Sequence, residues 1–136
     1  MNTTTRVAME SDWDRLDAYD DRGHSYGFPT VVAERDGVLV GYMASRPDRE
    51  DNIECNAIKA DSSMIALRLM EAYESILQTF DVKGYIFSVR KDEPDFLGVV
   101  LKLPDTTQYG ESDVHIFAMR MLNHDRRQRS PSPYSH

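Results

Sequence analysis

The side chains of this sequence that could do chemistry are few and scattered. Glu54 and Cys55 lie side by side, Asp61 is followed by Ser62 and Ser63, and the chain holds four histidines and seven tyrosines. A cysteine nucleophile needs a histidine or other cation to hold it as thiolate, and Cys55 has no histidine among its sequence neighbours. If Ile53 to Ile58 is a strand, alternation puts Glu54 and Cys55 on opposite faces, so Cys55 belongs in the core. The histidines show no metal-ligand spacing and there is no second cysteine, so no zinc site is expected; His115 reads as a structural strand residue. The sequence has no GxxxxGK[ST], no dinucleotide glycine pattern and no GxSxG.

The elements that must position these residues follow from pattern. Thr4 to Met9 reads as a short first strand. Ser11, with Asp14 three residues on, opens a helix carrying the stripe Trp13, Leu16 and Tyr19. Two glycines and a proline make Asp20 to Pro29 a loop. Val31 to Ala44 is a hairpin, because Asp36-Gly37 supplies the positive φ angles of a tight turn. Arg46 to Asn52 is a polar loop, and Ile53 to Ile58 is a strand. Asp61 or Ser62 caps a long helix with Ile65, Leu69, Ala72, Tyr73, Ile76 and Phe80 at spacings of three and four. Gly84 to Val89 is an apolar run typical of a buried strand. Asp92-Glu-Pro-Asp95 starts another helix, which runs through Phe96 to Leu103 and stops at Pro104. Val114 to Leu122 is the last strand. This order predicts an α/β domain over 1–123, with a mixed sheet that is antiparallel at its start and has helices on both faces.

The net charge of −7 is unevenly spread. Residues 124–136 carry Arg126, Arg127 and Arg129 against Asp125; they read as a disordered basic tail, and the body is more acidic than the total. An acidic body repels phosphates, so nucleic-acid binding is not expected. It suits solubility, a cationic substrate or a basic partner. A single cysteine points to a reducing compartment. No run approaches the roughly 20 apolar residues of a membrane span, and the first residues lack the apolar core of a signal peptide. A cytoplasmic protein without membrane association is expected.

The hairpin, the strand at Ile53, the long helix, the strand at Gly84, the shorter helix and the closing strand together resemble the GNAT superfamily of N-acetyltransferases, over about Val31 to Leu122. The N-terminal region is shorter than the two helices usual in that family. Compact GNAT-like proteins are also encoded by bacteriophages, and the brevity fits such an origin, with the host cytoplasm as location. The resemblance implies acetyl-CoA or another acyl-CoA as cosubstrate, held where the long helix begins. A helix N-terminus has unpaired N–H groups that bind phosphate oxygens, and glycines let the backbone come close. The family pattern Gln/Arg-x-x-Gly-x-Gly/Ala falls on Asp61 to Ala66, where only Ala66 matches. Asp61 replaces the amide or basic residue and Met64 the first glycine. The cofactor set implied is Ile58, Lys59, Ser62, Ser63, Met64, Ile65 and Ala66, with Lys59 offsetting Asp61 and the serines donating to phosphate.

The resemblance also implies a base that takes a proton from the amine and an acid that returns one to the CoA thiolate. Glu54 is the candidate base. The tyrosine that serves as acid falls at or near Val100, which cannot donate, so Tyr85 and Tyr109 are the candidate substitutes. The loop holding His24, Tyr26 and Phe28 borders the acceptor site in the resembling fold. Two functions follow: an N-acyltransferase acting on an amine of a small molecule or protein, or a catalytically degraded binding protein that modulates a host protein or self-associates as a homodimer through a strand edge. Pantetheine is expected between the strands at Ile53 and Gly84.

Overall fold

A computed structural model describes residues 2–22, 26–47 and 53–122; the basic tail and His24 lie outside the described residues. The strands are β1 (Thr3–Val7), β2 (Thr30–Arg35), β3 (Val38–Ser45), β4 (Glu54–Ala60), β5 (Gly84–Arg90), β6 (Thr106–Glu111) and β7 (His115–Met121), and the helices α1 (Trp13–Tyr19), α2 (Ser63–Thr79) and α3 (Pro94–Val100). They form one mixed sheet in the order β1-β2-β3-β4-β5-β7-β6. Among the described residues only β4 and β5 pair in parallel.

The β2–β3 hairpin turns at Asp36 and Gly37, both at positive φ (54° and 81°), as its turn residues predict. Its alternation splits the interior in two. Val31, Ala33 and Met43 face α2 and α3 with Ile65, Leu69, Tyr73, Leu77, Phe87 and Phe96. Val32, Tyr42 and Ala44 face α1 with Leu16, Trp13 and Tyr26. The two layers thus lie on opposite faces of the sheet.

Three local expectations change. Ser11 is not the helix cap: it sits in a single 3-10 turn over Glu10–Asp12 that precedes α1. The buried residue there is Asp12, which accepts from both Nη atoms of Arg6 at 2.8 and 2.9 Å and from the Met9 N–H at 2.8 Å. Phe80 leaves the α2 stripe because the helix ends at Thr79, and it is 62% exposed. A seventh strand, β6, was not legible. Thr106–Glu111 is an edge strand, exposed along most of its length, so nothing demands apolar alternation there.

α2 begins against the sheet at Gly41. A Cβ on Gly41 would lie 2.9 Å from Ile65 Cγ2, 2.9 Å from Leu69 Cδ1 and 3.1 Å from the Lys59 carbonyl. The missing side chain is what lets the first turns of α2 reach β3 and β4.

Candidate functional site

The parallel pair β4–β5 is joined only at Glu54↔Ile86 and Cys55↔Phe87. Beyond these the strands part, although β4 runs on to Ala60 and β5 to Arg90. On its other side β4 stays paired to β3, but with a shift: Ala44 faces Ala57 and Ser45 faces Cys55. Asn56 is the extra residue, a β-bulge that bends the strand and raises its twist. The bulge also changes the side-chain alternation. Cys55 points into the α2 core, Ala57 into the α1 core, and Ile58 and Ala60 return to the α2 core. The bulge and the divergence thus coincide on β4.

A narrow slot lies in the divergence, lined by Asn56, Ala57 and Ile58 of β4, Ser88 and Arg90 of β5, His115 of β7, and Arg22, with a volume of about 10 Å³. Asn56 Oδ1 is buried there without a hydrogen-bond partner among the described residues. A buried amide oxygen of this kind is an acceptor held ready for an N–H.

Arg22 comes from the turn after α1. Its Nε and Nη2 donate to the two oxygens of Asp20, each at 2.7 Å. Nη2 also lies 3.3 Å from Glu93 Oε2 and donates at 3.4 Å to the Ile58 carbonyl. Glu93 precedes the first residue of α3, so the guanidinium spans from β4 to the element that follows β5. Asp20 is 2% exposed and also accepts from the Tyr42 hydroxyl. Burial alone would raise the Asp20 carboxyl, but the bonds from Arg22 and Tyr42 outweigh it and hold the group at about 2. Burial pushes Glu93 up, only partly opposed by Arg22.

Asp20 and Asp12, whose carboxyl is held at about 2 chiefly by Arg6, carry a prediction. A carboxyl depressed in the folded state stabilises the fold above its ordinary value of 3.8, and that contribution is lost as pH falls toward 2. Unfolding midpoints in denaturant are expected to fall steeply between about pH 4 and pH 2. In Asp20→Asn the fall should be shallower; an unchanged pH profile in that variant contradicts the assignment.

At the start of α2, Ser62 Oγ caps the Ile65 N–H at 3.2 Å. Asp61 accepts from the Tyr19 hydroxyl at 2.7 Å. Lys59 Nζ donates to the Tyr19 carbonyl at 2.7 Å and lies 4.6 Å from the Tyr19 ring centre. The side chains of Ile65 and Ala66 are core, whereas Met64 is 66% exposed. The helix start is therefore tied to the end of α1, with a carboxylate at its rim.

No protein-family model matches the sequence, and no curated protein does. Solved structures match its shape. The ribosomal-protein-S18-alanine N-acetyltransferase from Escherichia coli superposes with a TM-score of 0.66 over 90% of this chain and 95% of its own, at 13% identity. The PaiA N-acetyltransferase from Thermoplasma acidophilum, solved with coenzyme A, gives 0.68 over 89% and 99%, at 10% identity. The N-acetylglutamate synthase from Neisseria gonorrhoeae, complexed with coenzyme A and N-acetyl-glutamate, gives 0.64 over 90% of this chain and 36% of its own, at 13% identity. This chain has the GNAT fold.

Within the GNAT frame the sequence-predicted residues scatter. Glu54 sits at the last joined stretch of β4 and β5, next to the slot in sequence but not lining it; its side chain is mostly buried, 3.5 Å from Arg46 Nη1. Ile58 reaches the slot, although its side chain is core. Tyr85, a candidate acid, lies in the α2 core. It is buried among Tyr73 and Phe87, its hydroxyl donates to Glu74 at 2.7 Å, and burial pushes the phenol well up. Tyr109 is exposed on β6, stacked 6.4 Å from Phe117. Neither tyrosine lines the slot. Val100 is fully buried at the end of α3. Tyr26 stacks 5.0 Å from Trp13 over α1 and donates to Asp17 at 2.6 Å. Phe28 contacts Phe80 at the C-terminal end of α2, away from the Ser62 cap. Cys55 is fully buried and its thiol is pushed up by burial, which leaves it inert as a nucleophile.

Missed from sequence were Asn56, Ser88, Arg90, Arg22 and its partners Asp20 and Glu93. Asn56 had a signal. Asparagine is depleted in strands, and one inside the run Ile53-Glu-Cys-Asn-Ala-Ile58 marks an irregularity.

Proposed function

We propose that this chain binds an acyl-CoA in the divergence of β4 and β5 and passes its acyl group to an amine. The observation that carries this reading is the coincidence of the divergence, the Asn56 bulge and the unpartnered Asn56 Oδ1 on a GNAT fold. The cosubstrate supplies an activated thioester carbonyl. Attack by the amine nitrogen forms a C–N bond and breaks the C–S bond, with the amine proton going to a base and the sulfur leaving as thiolate.

The chain's own residues divide this work. Asn56 Oδ1 accepts an N–H of the pantetheine arm, and the start of α2, with Ser62 and Ser63, faces the phosphates. Glu54, through water, receives the amine proton. Among the described residues no tyrosine lines the slot to protonate sulfur, and none is required. A free thiol titrates near 8.5, so the departing thiolate recovers a proton from water near neutral pH. Rate then comes from positioning. The acceptor is an amine of a small molecule or protein, in the cytoplasm of a cell or of a phage-infected host.

Thermal unfolding with acetyl-CoA tests this. At a hundredfold excess over the dissociation constant, bound ligand adds about 2.7 kcal/mol, which is read as a rise in Tm. CoA release onto a thiol reagent in the presence of an amine panel reads transfer. A folded protein with no shift at millimolar acetyl-CoA rejects the proposal.

Two observations favour a second reading, a GNAT-like binding protein without turnover. Asp61 stands at the rim of the phosphate cradle, where two charges about 4 Å apart interact by roughly 4 kcal/mol at an effective dielectric near 20, and Arg22 lies across the slot. Its partner is a protein that meets the acidic body. Absence of acyl transfer together with capture of one defined partner supports this reading.

A further inference from the structure

The slot is too small for what the fold would place there. Its volume of about 10 Å³ admits little more than one water, so a pantetheine arm enters only after something moves. Asn56, Ile58, Ser88, Arg90 and His115 belong to strands of the sheet. β4 is anchored by core on both faces, at Ala57 and Ile58, and β5 on the α2 face, at Phe87 and Val89. Arg22 alone among the lining residues comes from outside the sheet. Its guanidinium is bonded bidentately to Asp20, and reaches the Ile58 carbonyl on one side of the divergence and Glu93 on the other. The Arg22 side chain is 23% exposed, so it has a path to solvent; Arg90 reaches solvent too, but it rises from β5 and pairs with Asp92 rather than with Asp20, Glu93 and β4.

We propose that Arg22 is a latch on the thioester channel: seated between Asp20, Glu93 and the Ile58 carbonyl it closes the divergence, and it swings out when an acyl-CoA enters. The inference rests on the acyl-CoA reading. It makes Arg22 a residue that controls access and affinity, with no part in bond making. Asp20 also accepts from the Tyr42 hydroxyl, and the carboxylate anchored in this way draws the latch back when the product has left.

Acetyl-CoA binding by calorimetry to the wild type, Arg22→Ala, Arg22→Ala/Asp20→Asn and Glu93→Gln tests the latch. A binding-competent state populated one-tenth of the time or less weakens apparent affinity about tenfold or more. Both Arg22 variants are therefore expected to bind at least about tenfold more tightly than the wild type. Glu93→Gln, which loosens one contact of modest strength, should bind about threefold more tightly. The double variant removes the cation and its buried counter-ion together, so it stays informative if Arg22→Ala alone does not fold; circular dichroism decides which variants are read. Wild-type binding with unchanged or weaker binding in the folded variants overturns the latch and leaves the acyl-CoA reading intact. No binding by any folded variant at millimolar acetyl-CoA overturns both.

Discussion

Replacing Arg120 with alanine is expected to cost about 3–5 kcal/mol of folding stability, the range for removing one partner of a buried ion pair. Arg120 lies on β7 opposite Tyr85, and its side chain is 6% exposed. Its Nε and Nη2 donate to the two oxygens of Glu74 on α2, at 2.8 and 2.9 Å. Nη1 donates at 2.7 Å to the Pro104 carbonyl and at 2.9 Å to Thr106 Oγ1. One side chain therefore ties α2 to the sheet and fixes where the edge strand β6 begins. Without it, the Glu74 carboxylate keeps only the Tyr85 hydroxyl among these contacts. Urea unfolding of Arg120→Ala should show the loss, and Arg120→Met with Glu74→Gln should recover much of it, because the buried charge goes with its partner. A loss below about 1 kcal/mol would show that the pair behaves as a surface ion pair.

Gly41→Val is expected to destabilise the fold by about 2–3 kcal/mol, as overpacking of a filled core does. The new side chain would meet Ile65 and Leu69 at distances their atoms cannot hold. Ile65 is β-branched and stiff, so the first turn of α2 must move away from β3. That turn is also the proposed phosphate seat. The variant should lose acetyl-CoA affinity beyond its loss of stability, measured by calorimetry at a temperature where it remains folded. A destabilised protein with wild-type affinity would detach the helix start from cofactor binding.

What was legible in advance follows from what is local. The Asp36-Gly37 turn demands positive φ, and few residue pairs supply it. The α2 stripe is periodic because one face meets the sheet, and Ile65, Leu69 and Tyr73 are buried there. Tyr85, by contrast, is a candidate acid in sequence and a core residue in the fold. Its partner Glu74 lies eleven residues away on another element, and nothing in either segment announces the bond. Phe80 kept the helix spacing and still ended exposed, since the helix terminus decides which way the next residue turns.

The composition, the turn residues and the two periodicities by themselves determined an α/β domain and the order of its elements apart from β6, because each is a property of a few adjacent residues. The tertiary structure alone decided the site. Where β4 leaves β5 depends on a bulge at Asn56 set by pairing with β3. What fills the gap depends on Arg22, brought from the far side of the sheet by the packing of α1. Both are contacts between segments distant in sequence, and such contacts leave no period in the chain.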